Sequence, residues 1–317
     1  MKFIVTGGAG FIGSNLVASL NERGHDDILV VDRLDDHGLK KKNLIDLKFR
    51  NYLDKDDFRM QVLDNRQESV DVVFHMGACT STTETNEAYL TDNNFQYSRD
   101  LCEWCLNHDV RFIYASSAAT YGDGSLGYSD EDDMTPTLRP LNLYGRSKQI
   151  FDTWALDNGV LDSAVGLKFF NVYGPREDHK GDMRSVVNKA CQQVRETGEI
   201  RLFRSYKPHY KDGEQVRDFV YVKDAVRVML FFHDHAETSG LFNCGTGRAR
   251  TWIDLAKAIF ASMGREPRIT FVDMPEEIRD NYQYHTQANV LKLQRAGYRE
   301  SFISLEDGVT DYVRNHL

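Results

Sequence analysis

Residues 2–14 read Lys-Phe-Ile-Val-Thr-Gly-Gly-Ala-Gly-Phe-Ile-Gly-Ser. The apolar run at residues 3–5 predicts a short buried strand, and apolar residues at helical spacing after Phe11 predict a helix. Between them stands a glycine cluster that contains Gly7, Gly10 and Gly13. Such a cluster lets a pyrophosphate approach the backbone, and the N–H groups at the start of the helix can then bind it. The stretch therefore predicts a dinucleotide-binding unit.

A second apolar run, residues 28–31, ends in Asp32, about 20 residues past Gly13, where a ribose-binding acid is expected. Arg33 follows directly, and Lys40 begins a run of three lysines. The acid favours the 2′-hydroxyl of NAD, whereas a neighbouring arginine favours the 2′-phosphate of NADP. The basic cluster makes NADP the predicted cofactor, in preference to NAD.

Further along the chain, predicted strands alternate with predicted helices. Residues 71–78, 110–117 and 164–170 have the composition of buried strands, and residues 86–107, 183–198 and 225–233 have a helical pattern. This alternation predicts an α/β fold with a Rossmann-type, doubly wound parallel sheet. Residues 1–170 are expected to form the NADP-binding domain. Residues 171–317 are expected to form mainly a smaller α/β substrate lobe, with segments around 216–245 returning to the first domain.

The composition restricts the possible partners and compartments. The 317 residues are 41% hydrophobic and 27% charged, which is ordinary for a globular protein, and the net charge of −9 predicts no general affinity for nucleic acid or anionic membranes. No apolar run approaches the ~18 residues of a membrane span, and no signal peptide is apparent, so a cytoplasmic location is expected. Five cysteines predict no disulfide framework. Cys102-Glu-Trp-Cys105 is interpreted as helix packing, and no metal site is predicted.

A second motif, Tyr144-x-x-x-Lys148, stands at the start of a predicted helix, where residues four apart share one face. A tyrosine has a pKa near ~10, and a neighbouring cation favours its phenolate form. Such a tyrosine can take a proton from a hydroxyl while a hydride leaves for a nicotinamide. A predicted strand that ends in Ser116-Ser117 precedes the pair, so these residues are expected to meet at one catalytic site.

Several motifs together resemble the extended short-chain dehydrogenase/reductase superfamily. They are Thr-Gly-Gly-Ala-Gly-Phe-Ile-Gly, Ala-Ser-Ser-Ala-Ala-Thr-Tyr-Gly, Tyr-x-x-x-Lys and Arg-Asp-Phe-Val-Tyr-Val-x-Asp, and they follow the superfamily's order over nearly the whole chain. Within its nucleotide-sugar epimerase branch, three more segments are similar to the ADP-heptose 6-epimerases. These are His-x-Gly-Ala-Cys-x-Ser-Thr-Thr-Glu from His75, Asp-Asn-Asn-x-Gln-Tyr-Ser from Asp92, and Phe-Asn-Val-Tyr-Gly-Pro-Arg-Glu-x-His-Lys-Gly from Phe170.

The resemblance implies a role for each matching position. Tyr144 and Lys180 would be acid/bases on opposite faces of the sugar carbon, Ser117 would bind the reacting hydroxyl, and Lys148 would hold the nicotinamide ribose. The residues implied to bind the cofactor are Gly7, Gly10, Phe11, Ile12, Gly13, Asp32, Arg33, Lys40, Lys55, Met76, Gly77, Ala78, Cys79, Thr80, Asn93, Lys148, Val172 and Lys180. The residues implied to bind substrate are Ser117, Asn171, Asp182, Lys189, Phe203, Arg204, Ser205, Tyr206, Arg217 and Tyr282.

The implied activity is inversion of C6 of the heptose in an ADP-activated sugar, by transient oxidation and re-reduction with tightly bound NADP. This activity would supply heptose for the lipopolysaccharide core, and the family resemblance implies a homopentamer. Asp182, Lys189 and the stretch at Arg204 depart from the family pattern, so the nucleotide held there stays open.

Two other functions are retained as alternatives. One is a UDP-hexose 4-epimerase or a related nucleotide-sugar dehydrogenase. A 4,6-dehydratase is disfavoured because Ala118 and Ala119 stand where such an enzyme needs an acid. The other is a non-catalytic NADP-binding sensor, which is disfavoured because Tyr144, Lys148 and Ser117 are all present.

Overall fold

The computed structural model describes residues 1–34, 37–279 and 282–317. In this part of the chain the strands are β1 (Phe3–Thr6), β2 (Ile28–Asp32), β3 (Asn51–Asp54), β4 (Val72–His75), β5 (Arg111–Ser117), β6 (Val165–Phe169), β7 (Asn171–Tyr173), β8 (Ile200–Phe203), β9 (Val216–Tyr221), β10 (Gly240–Cys244), β11 (Ala249–Thr251) and β12 (Ile269–Val272).

The helices of the same part are α1 (Phe11–Glu22), α2 (Leu39–Lys42), α3 (Lys55–Leu63), α4 (Glu87–Leu90), α5 (Tyr97–Asn107), α6 (Leu143–Asp157), α7 (Val186–Thr197), α8 (Val222–Asp234), α9 (Trp252–Ser262), α10 (Glu276–Arg279), α11 (Leu291–Arg295) and α12 (Leu305–Asn315). A π-helical turn, Thr91–Gln96, joins α4 to α5, and a 3₁₀ turn, Asp178–Met183, precedes α7.

The main sheet has seven parallel strands in the order β10-β6-β5-β4-β1-β2-β3. Its central strands are apolar and fully buried, because helices cover both faces of the sheet. Helices α1 and α8 pack together on one face, and α3, α5 and α6 cover the other. The predicted doubly wound, Rossmann-type sheet is confirmed. The strand order reverses between β1 and β4, and a crevice for ligands opens at their carboxyl ends.

A second core lies in the C-terminal half, where α7, α9 and α12 pack around two small sheets. In one of these sheets β9 lies between β7 and β11, and in the other β8 pairs with β12. Within the segment 216–245, β10 is a strand of the main sheet and α8 packs on that sheet. Strand β9 belongs instead to the small sheet with β7 and β11.

Two predicted helix starts differ from the structure. The helix predicted from Met183 begins at Val186, because Ser185 caps it by accepting a hydrogen bond from the Asn188 N–H. The helix predicted from Ala225 begins at Val222, directly after β9. The interpretation of the two cysteines at 102 and 105 as packing residues is confirmed, since both thiols are buried in the core and free of disulfides.

The described residues contain no helix that is long and apolar enough to cross a lipid bilayer. Over the same ranges, no three His, Cys, Asp or Glu side chains are grouped so that they could hold a metal ion.

His75 ends β4 in a buried hydrogen-bond chain. Its Nδ1 lies 2.7 Å from the Thr6 Oγ1, and its Nε2 lies 2.8 Å from the Ser98 Oγ. Because the Ser98 hydroxyl donates to the Asn94 carbonyl, His75 must donate from Nε2 and accept at Nδ1. Burial lowers the pKa of His75 to about 3, so the ring is neutral. This neutral ring fixes the end of β4 beside the glycine loop.

The lowered pKa of His75 predicts that acid destabilises the folded protein. Between pH 6.5 and about 3 the unfolded chain protonates this ring while the folded chain does not, so stability should fall as pH falls. The slope is at most about 1.4 kcal/mol per pH unit. We expect His75→Gln to be less stable at neutral pH, yet to lose about 4 kcal/mol less than wild type on acidification across this window. Urea unfolding of both proteins measures this difference, and identical slopes would contradict the assignment.

Candidate active site

A cavity of about 320 Å³ opens at the carboxyl ends of β4, β5 and β6. Strand ends, the start of α1 and the turn before α7 all contribute to its lining. Eleven of the predicted site residues line it: Phe11, Ile12, Met76, Ala78, Thr80, Ser117, Tyr144, Lys148, Asn171, Val172 and Lys180.

Helix α6 places Tyr144 and Lys148 in this cavity. Asn142 caps the helix by accepting a hydrogen bond from the Gly145 N–H at 2.8 Å, so both residues lie in its first two turns. The Lys148 ammonium is buried and donates to the Ala115 carbonyl at 2.8 Å. This contact ties the helix to β5, whose last residue is Ser117.

Burial raises the pKa of Tyr144, and a hydrogen bond with Ser117 opposes that rise. Burial also lowers the pKa of Lys148 to about 8, against the opposing charge of Asp152. Asp152 is itself fully buried, accepts from Ser116 at 2.6 Å and pairs with Lys168 at 3.2 Å. The Ser117 hydroxyl therefore favours the phenolate form of Tyr144.

Lys180 also lines the cavity, from the 3₁₀ turn before α7. Its ammonium lies 5.5 Å from the centroid of the Phe11 ring. Burial lowers the pKa of Lys180, and the carboxylate of Glu177 opposes this. Glu177 is buried and accepts from the Ser185 N–H and Oγ at 2.5 Å each and from the Tyr312 hydroxyl at 2.9 Å. The turn that carries Lys180 is thus anchored to α7 and α12.

The glycine loop is shaped for a close approach of backbone to ligand. Gly7 has φ +65°, and a Cβ there would lie 2.7 Å from the Gly77 nitrogen. A Cβ on Gly13 would lie 2.2 Å from the Gly7 carbonyl oxygen, so α1 can pack on the loop only with glycine. Asp32 accepts from the Ala9 N–H at 3.0 Å and fixes the loop to the end of β2. These features fit the pyrophosphate and ribose of a nicotinamide dinucleotide.

A cavity of about 280 Å³ continues from this loop, lined among others by Gly7, Asp32, Arg33, Lys40, Lys55, Gly77, Ala78, Tyr89 and Tyr97. Its outer end is basic. Lys40 pairs with Asp32 at 2.7 Å, and both Arg33 and Lys55 pair with Asp56. The acid predicted to favour NAD is therefore already neutralised by a lysine.

On the other side of Tyr144, a cavity of about 510 Å³ contains the predicted substrate residues Ser117, Asn171, Arg217 and Tyr282. The Arg217 guanidinium is 5.5 Å from the Trp252 ring and 5.0 Å from the Tyr282 ring. Its side chain is buried, which lowers its pKa, and it donates to the Val216 carbonyl at 2.9 Å. A planar cation held between two rings is suited to an anionic group such as a diphosphate.

The remaining predicted residues do not line these three cavities. Gly10 and Gly13 shape the loop, Cys79 and Asn93 donate hydrogen bonds to Asn94, and Lys189 donates to the Asp182 carbonyl at 3.0 Å. The stretch 203–206 borders the substrate cavity indirectly: Phe203 packs on Tyr282 at 6.4 Å, and the Tyr206 ring lies under Arg279 at 4.2 Å. The predicted site residues that line none of the three cavities are Gly10, Gly13, Cys79, Asn93, Asp182, Lys189, Phe203, Arg204, Ser205 and Tyr206.

Asn94 was not predicted, although it organises the site more directly than Asn93 does. Its carboxamide accepts from the Cys79 N–H at 2.8 Å, donates to the Cys79 carbonyl at 2.9 Å and donates to Ser147 at 3.0 Å. It therefore joins the loop after β4 to α6. The Asn-Asn pair was visible in the sequence. The π-helical turn that directs Asn94 inwards was not, because no sequence pattern marked it. Met183, Arg184 and Gln283 also line the cavities without a sequence signal.

Comparison with known proteins places this geometry in context. A sequence model described as the NAD dependent epimerase/dehydratase family matches residues 3–245. The chain is also similar to an ADP-L-glycero-D-manno-heptose-6-epimerase of Nitratidesulfovibrio vulgaris, with 54% identity over 316 residues. That match covers 99% of this chain and 98% of the relative.

Two solved structures are similar over nearly their whole length. A crystal structure of ADP-L-glycero-D-manno-heptose-6-epimerase from Helicobacter pylori gives a TM-score of 0.80 at 29% identity, covering 98% of this chain and 94% of that chain. A UDP-glucose 4-epimerase from Thermus thermophilus in complex with NAD gives a TM-score of 0.79 at 26% identity, covering 100% of both chains.

Proposed function

The chain belongs to the NAD dependent epimerase/dehydratase family, and we propose that it inverts C6 of the heptose in ADP-D-glycero-D-manno-heptose to give ADP-L-glycero-D-manno-heptose, with NADP as cofactor. One observation carries the proposal: Tyr144, Ser117 and Lys148 share a single cavity with Lys180, beside the start of the dinucleotide-binding helix. The relative from N. vulgaris, at 54% identity, supports the choice of substrate.

Each side chain of the cavity has a separate task. A bound nicotinamide supplies the acceptor and donor of the hydride. Lys148 holds the cofactor's ribose, and Ser117 orients the reacting hydroxyl while its hydrogen bond favours the phenolate of Tyr144. Tyr144 then takes the hydroxyl proton as the hydride departs. Arg217, held between its two aromatic rings, binds the diphosphate of the substrate.

Inversion needs a second acid/base for a geometric reason. A nicotinamide held by the glycine loop would exchange a hydride with only one face of the sugar carbon at a time, so inversion would require the sugar to present both faces in turn. The sugar oxygen then occupies a different position in each orientation. Tyr144 is assigned to one position and Lys180 to the other, and both side chains line the cavity. The lowered pKa of Lys180 suits it to give and take a proton.

Sequence identity distinguishes the heptose alternative from the hexose alternative, whereas similarity of fold does not. The heptose 6-epimerase and the UDP-glucose 4-epimerase structures match this fold almost equally, with TM-scores of 0.80 and 0.79. The curated heptose epimerase is 54% identical, whereas the UDP-glucose 4-epimerase is 26% identical. The UDP-hexose alternative is therefore not favoured. The sensor alternative is disfavoured because the catalytic side chains converge on one cavity.

The preference for NADP over NAD is part of the proposal. The carboxylate of Asp32 would repel a 2′-phosphate, but Lys40 neutralises it at 2.7 Å, and Arg33 and Lys55 line the same cavity. We therefore expect Arg33→Ala to weaken NADP binding by about 10- to 100-fold and NAD binding much less. Fluorescence titration of both cofactors measures this ratio. Arg50→Ala is the matched control, since Arg50 pairs with Asp27 and Glu68 and does not line the cavity. An equal loss for both cofactors would refute the preference.

The proposed function has a direct test. Purified protein that retains its own nucleotide should interconvert the two C6 epimers of ADP-heptose without added cofactor, and it should leave UDP-galactose unchanged. Proton NMR at C6 follows the first reaction. The proposal fails if UDP-galactose is turned over and ADP-heptose is not, with bound nicotinamide nucleotide confirmed by mass analysis.

Two coarser features complete the proposal. Residues 1–170 hold the cofactor, with α8 and β10 of the segment 216–245 returning to this unit, and residues 171–317 otherwise mainly hold the substrate. Arg217 lies on β9 in the small sheet, so the diphosphate site belongs to the second unit. The assembly implied by the family resemblance is a homopentamer in the cytoplasm. Sedimentation equilibrium of the full chain measures the assembly state.

A further inference from the structure

The segment that carries Lys180 is held in an unusual backbone conformation. Arg176, a non-glycine residue, has φ +71°, and Gly181 has φ +54°. Positive φ costs energy for a residue with a side chain, so neighbouring contacts must hold Arg176 in place. We call residues 174–184 the Lys180 segment. Besides its anchor at Glu177, this segment makes a set of contacts with the dinucleotide-binding unit.

The first contact comes from α1. The Asn15 carboxamide donates to the Phe11 carbonyl at 2.8 Å and to the Pro175 carbonyl at 3.0 Å. Its side chain is buried, with only 8% exposed. Asn15 therefore joins the helix whose start faces the cofactor to the beginning of the Lys180 segment.

The second contact comes from Asn43, just after α2. Its carboxamide donates to the Ala9 carbonyl in the glycine loop and to the Arg176 carbonyl, each at 3.0 Å. It also lies 3.2 Å from the His179 Nδ1. The Arg176 guanidinium also donates to the Asn43 carbonyl at 2.6 Å, and it pairs with Asp46 at 2.7 Å. One buried carboxamide thus touches both the glycine loop and the residue with strained backbone.

From these contacts we infer that Asn15 and Asn43 are positioning residues, which fasten the Lys180 segment to the dinucleotide-binding loop and so couple cofactor binding to the placement of Lys180. The inference rests on the proposed role of Lys180 as an acid/base. The coupling runs in both directions: a cofactor that orders the loop orders the Lys180 segment, and an ordered segment strengthens cofactor binding.

The geometry explains how the coupling is transmitted. Phe11 belongs to the same helix start as the Asn15 contact, and its ring lies under the Lys180 ammonium. Ala9 lies between Gly8 and Gly10 in the phosphate-binding loop. A pyrophosphate that fixes this loop therefore fixes the carbonyl to which Asn43 donates. Both carboxamides are buried, so breaking either contact leaves unsatisfied polar groups.

Amide hydrogen exchange tests the inference without relying on turnover. Protein stripped of nucleotide is compared with protein saturated with NADP⁺, with NAD⁺ in a parallel arm. In wild type, cofactor should slow exchange in peptides covering residues 176–184 by at least about tenfold. In Asn43→Ala the cofactor should still bind and protect the glycine loop, whereas most of the protection of residues 176–184 should be lost.

Asn21→Ala is the matched control. The Asn21 carboxamide also cross-links α1 to a later segment, through the His25 and Lys48 carbonyls at 2.8 Å each, but it does not touch the Lys180 segment. This variant should keep the cofactor-linked protection of wild type. If Asn43→Ala does not fold, Asn15→Ala gives the same test from the other carboxamide. The inference is overturned if wild type shows no cofactor-linked protection of residues 176–184, or if the folded variant keeps all of it.

A kinetic measurement separates positioning from general stability. In Asn43→Ala, kcat for epimerisation should fall about tenfold or more, with little change in KM for the nucleotide sugar. In Asn21→Ala neither constant should change. If wild type epimerises nothing, the proposed function has failed, while the exchange experiment still reports whether the coupling exists.

Discussion

Replacing Tyr144 with phenylalanine should lower kcat by about 10²- to 10⁴-fold and leave the nicotinamide nucleotide bound. The substitution removes one hydroxyl from the cavity that also contains Ser117 and Lys148, and it keeps the ring that fills the wall. Without the hydroxyl, the proton of the sugar alcohol has no acceptor on that side. The measurement is steady-state epimerisation, together with mass analysis of the nucleotide retained by the purified variant.

Tyr298→Phe is the matched control for this prediction. The Tyr298 hydroxyl is buried and has no hydrogen-bond partner among the described residues, and it does not line the active-site cavity. Its removal should leave kcat unchanged. Unchanged turnover in Tyr144→Phe would show that another group is the base.

Replacing Lys180 with methionine is expected to reduce net epimerisation by a similar factor, about 10²- to 10⁴-fold. Methionine keeps the length and the apolar contact with the Phe11 ring but removes the ammonium group. Oxidation of the epimer that presents its hydroxyl to Tyr144 should survive, because that step does not need Lys180. The bound nicotinamide should therefore still become reduced when this epimer is mixed with the variant.

The control for Lys180→Met is Lys223→Met, since Lys223 is half-exposed and pairs with Asp311 away from the cleft. It should behave as wild type. A Lys180→Met variant that interconverts both epimers at the wild-type rate would remove Lys180 from the chemistry. A variant that no longer binds cofactor would instead assign Lys180 a binding role.

The central part of the fold could be predicted because its signals are local. A buried parallel strand is a short apolar run, and the runs that gave β1, β2, β5 and β6 are bounded by glycine or polar residues. The edge strand β3 was not predicted, since Asn51-Tyr-Leu-Asp54 is largely half-exposed and contains no apolar run. The start of α7 was misplaced by three residues, because Met183 ends a 3₁₀ turn and the backbone of Arg184 and Ser185 is extended before the helix begins.

The candidate site likewise contains residues with a local sequence signal, which could be predicted, and residues held by long-range contacts, which could not. Tyr144, Lys148 and Ser117 could be predicted because a helix face and a strand end carry them, and their spacing is visible in the sequence. The role of Asn43 could not be predicted, because its partner Arg176 is 133 residues away and the contact depends on how two loops meet. Glu177 and Asn94 act through hydrogen bonds of the same long-range kind. The Lys148 cation was predicted to favour the phenolate form of Tyr144, whereas the structure gives that role to the hydrogen bond with Ser117.

Single-turnover absorbance of the bound nicotinamide tests the two-base account most directly. Tyr144→Phe and Lys180→Met are each mixed with each pure C6 epimer of ADP-heptose. If Tyr144 and Lys180 divide the proton transfers, each variant should reduce its nicotinamide with only one epimer, and the productive epimer should differ between the two variants. If both variants oxidise the same epimer, or if Lys180→Met oxidises both as wild type does, the two side chains do not divide the proton transfers between them.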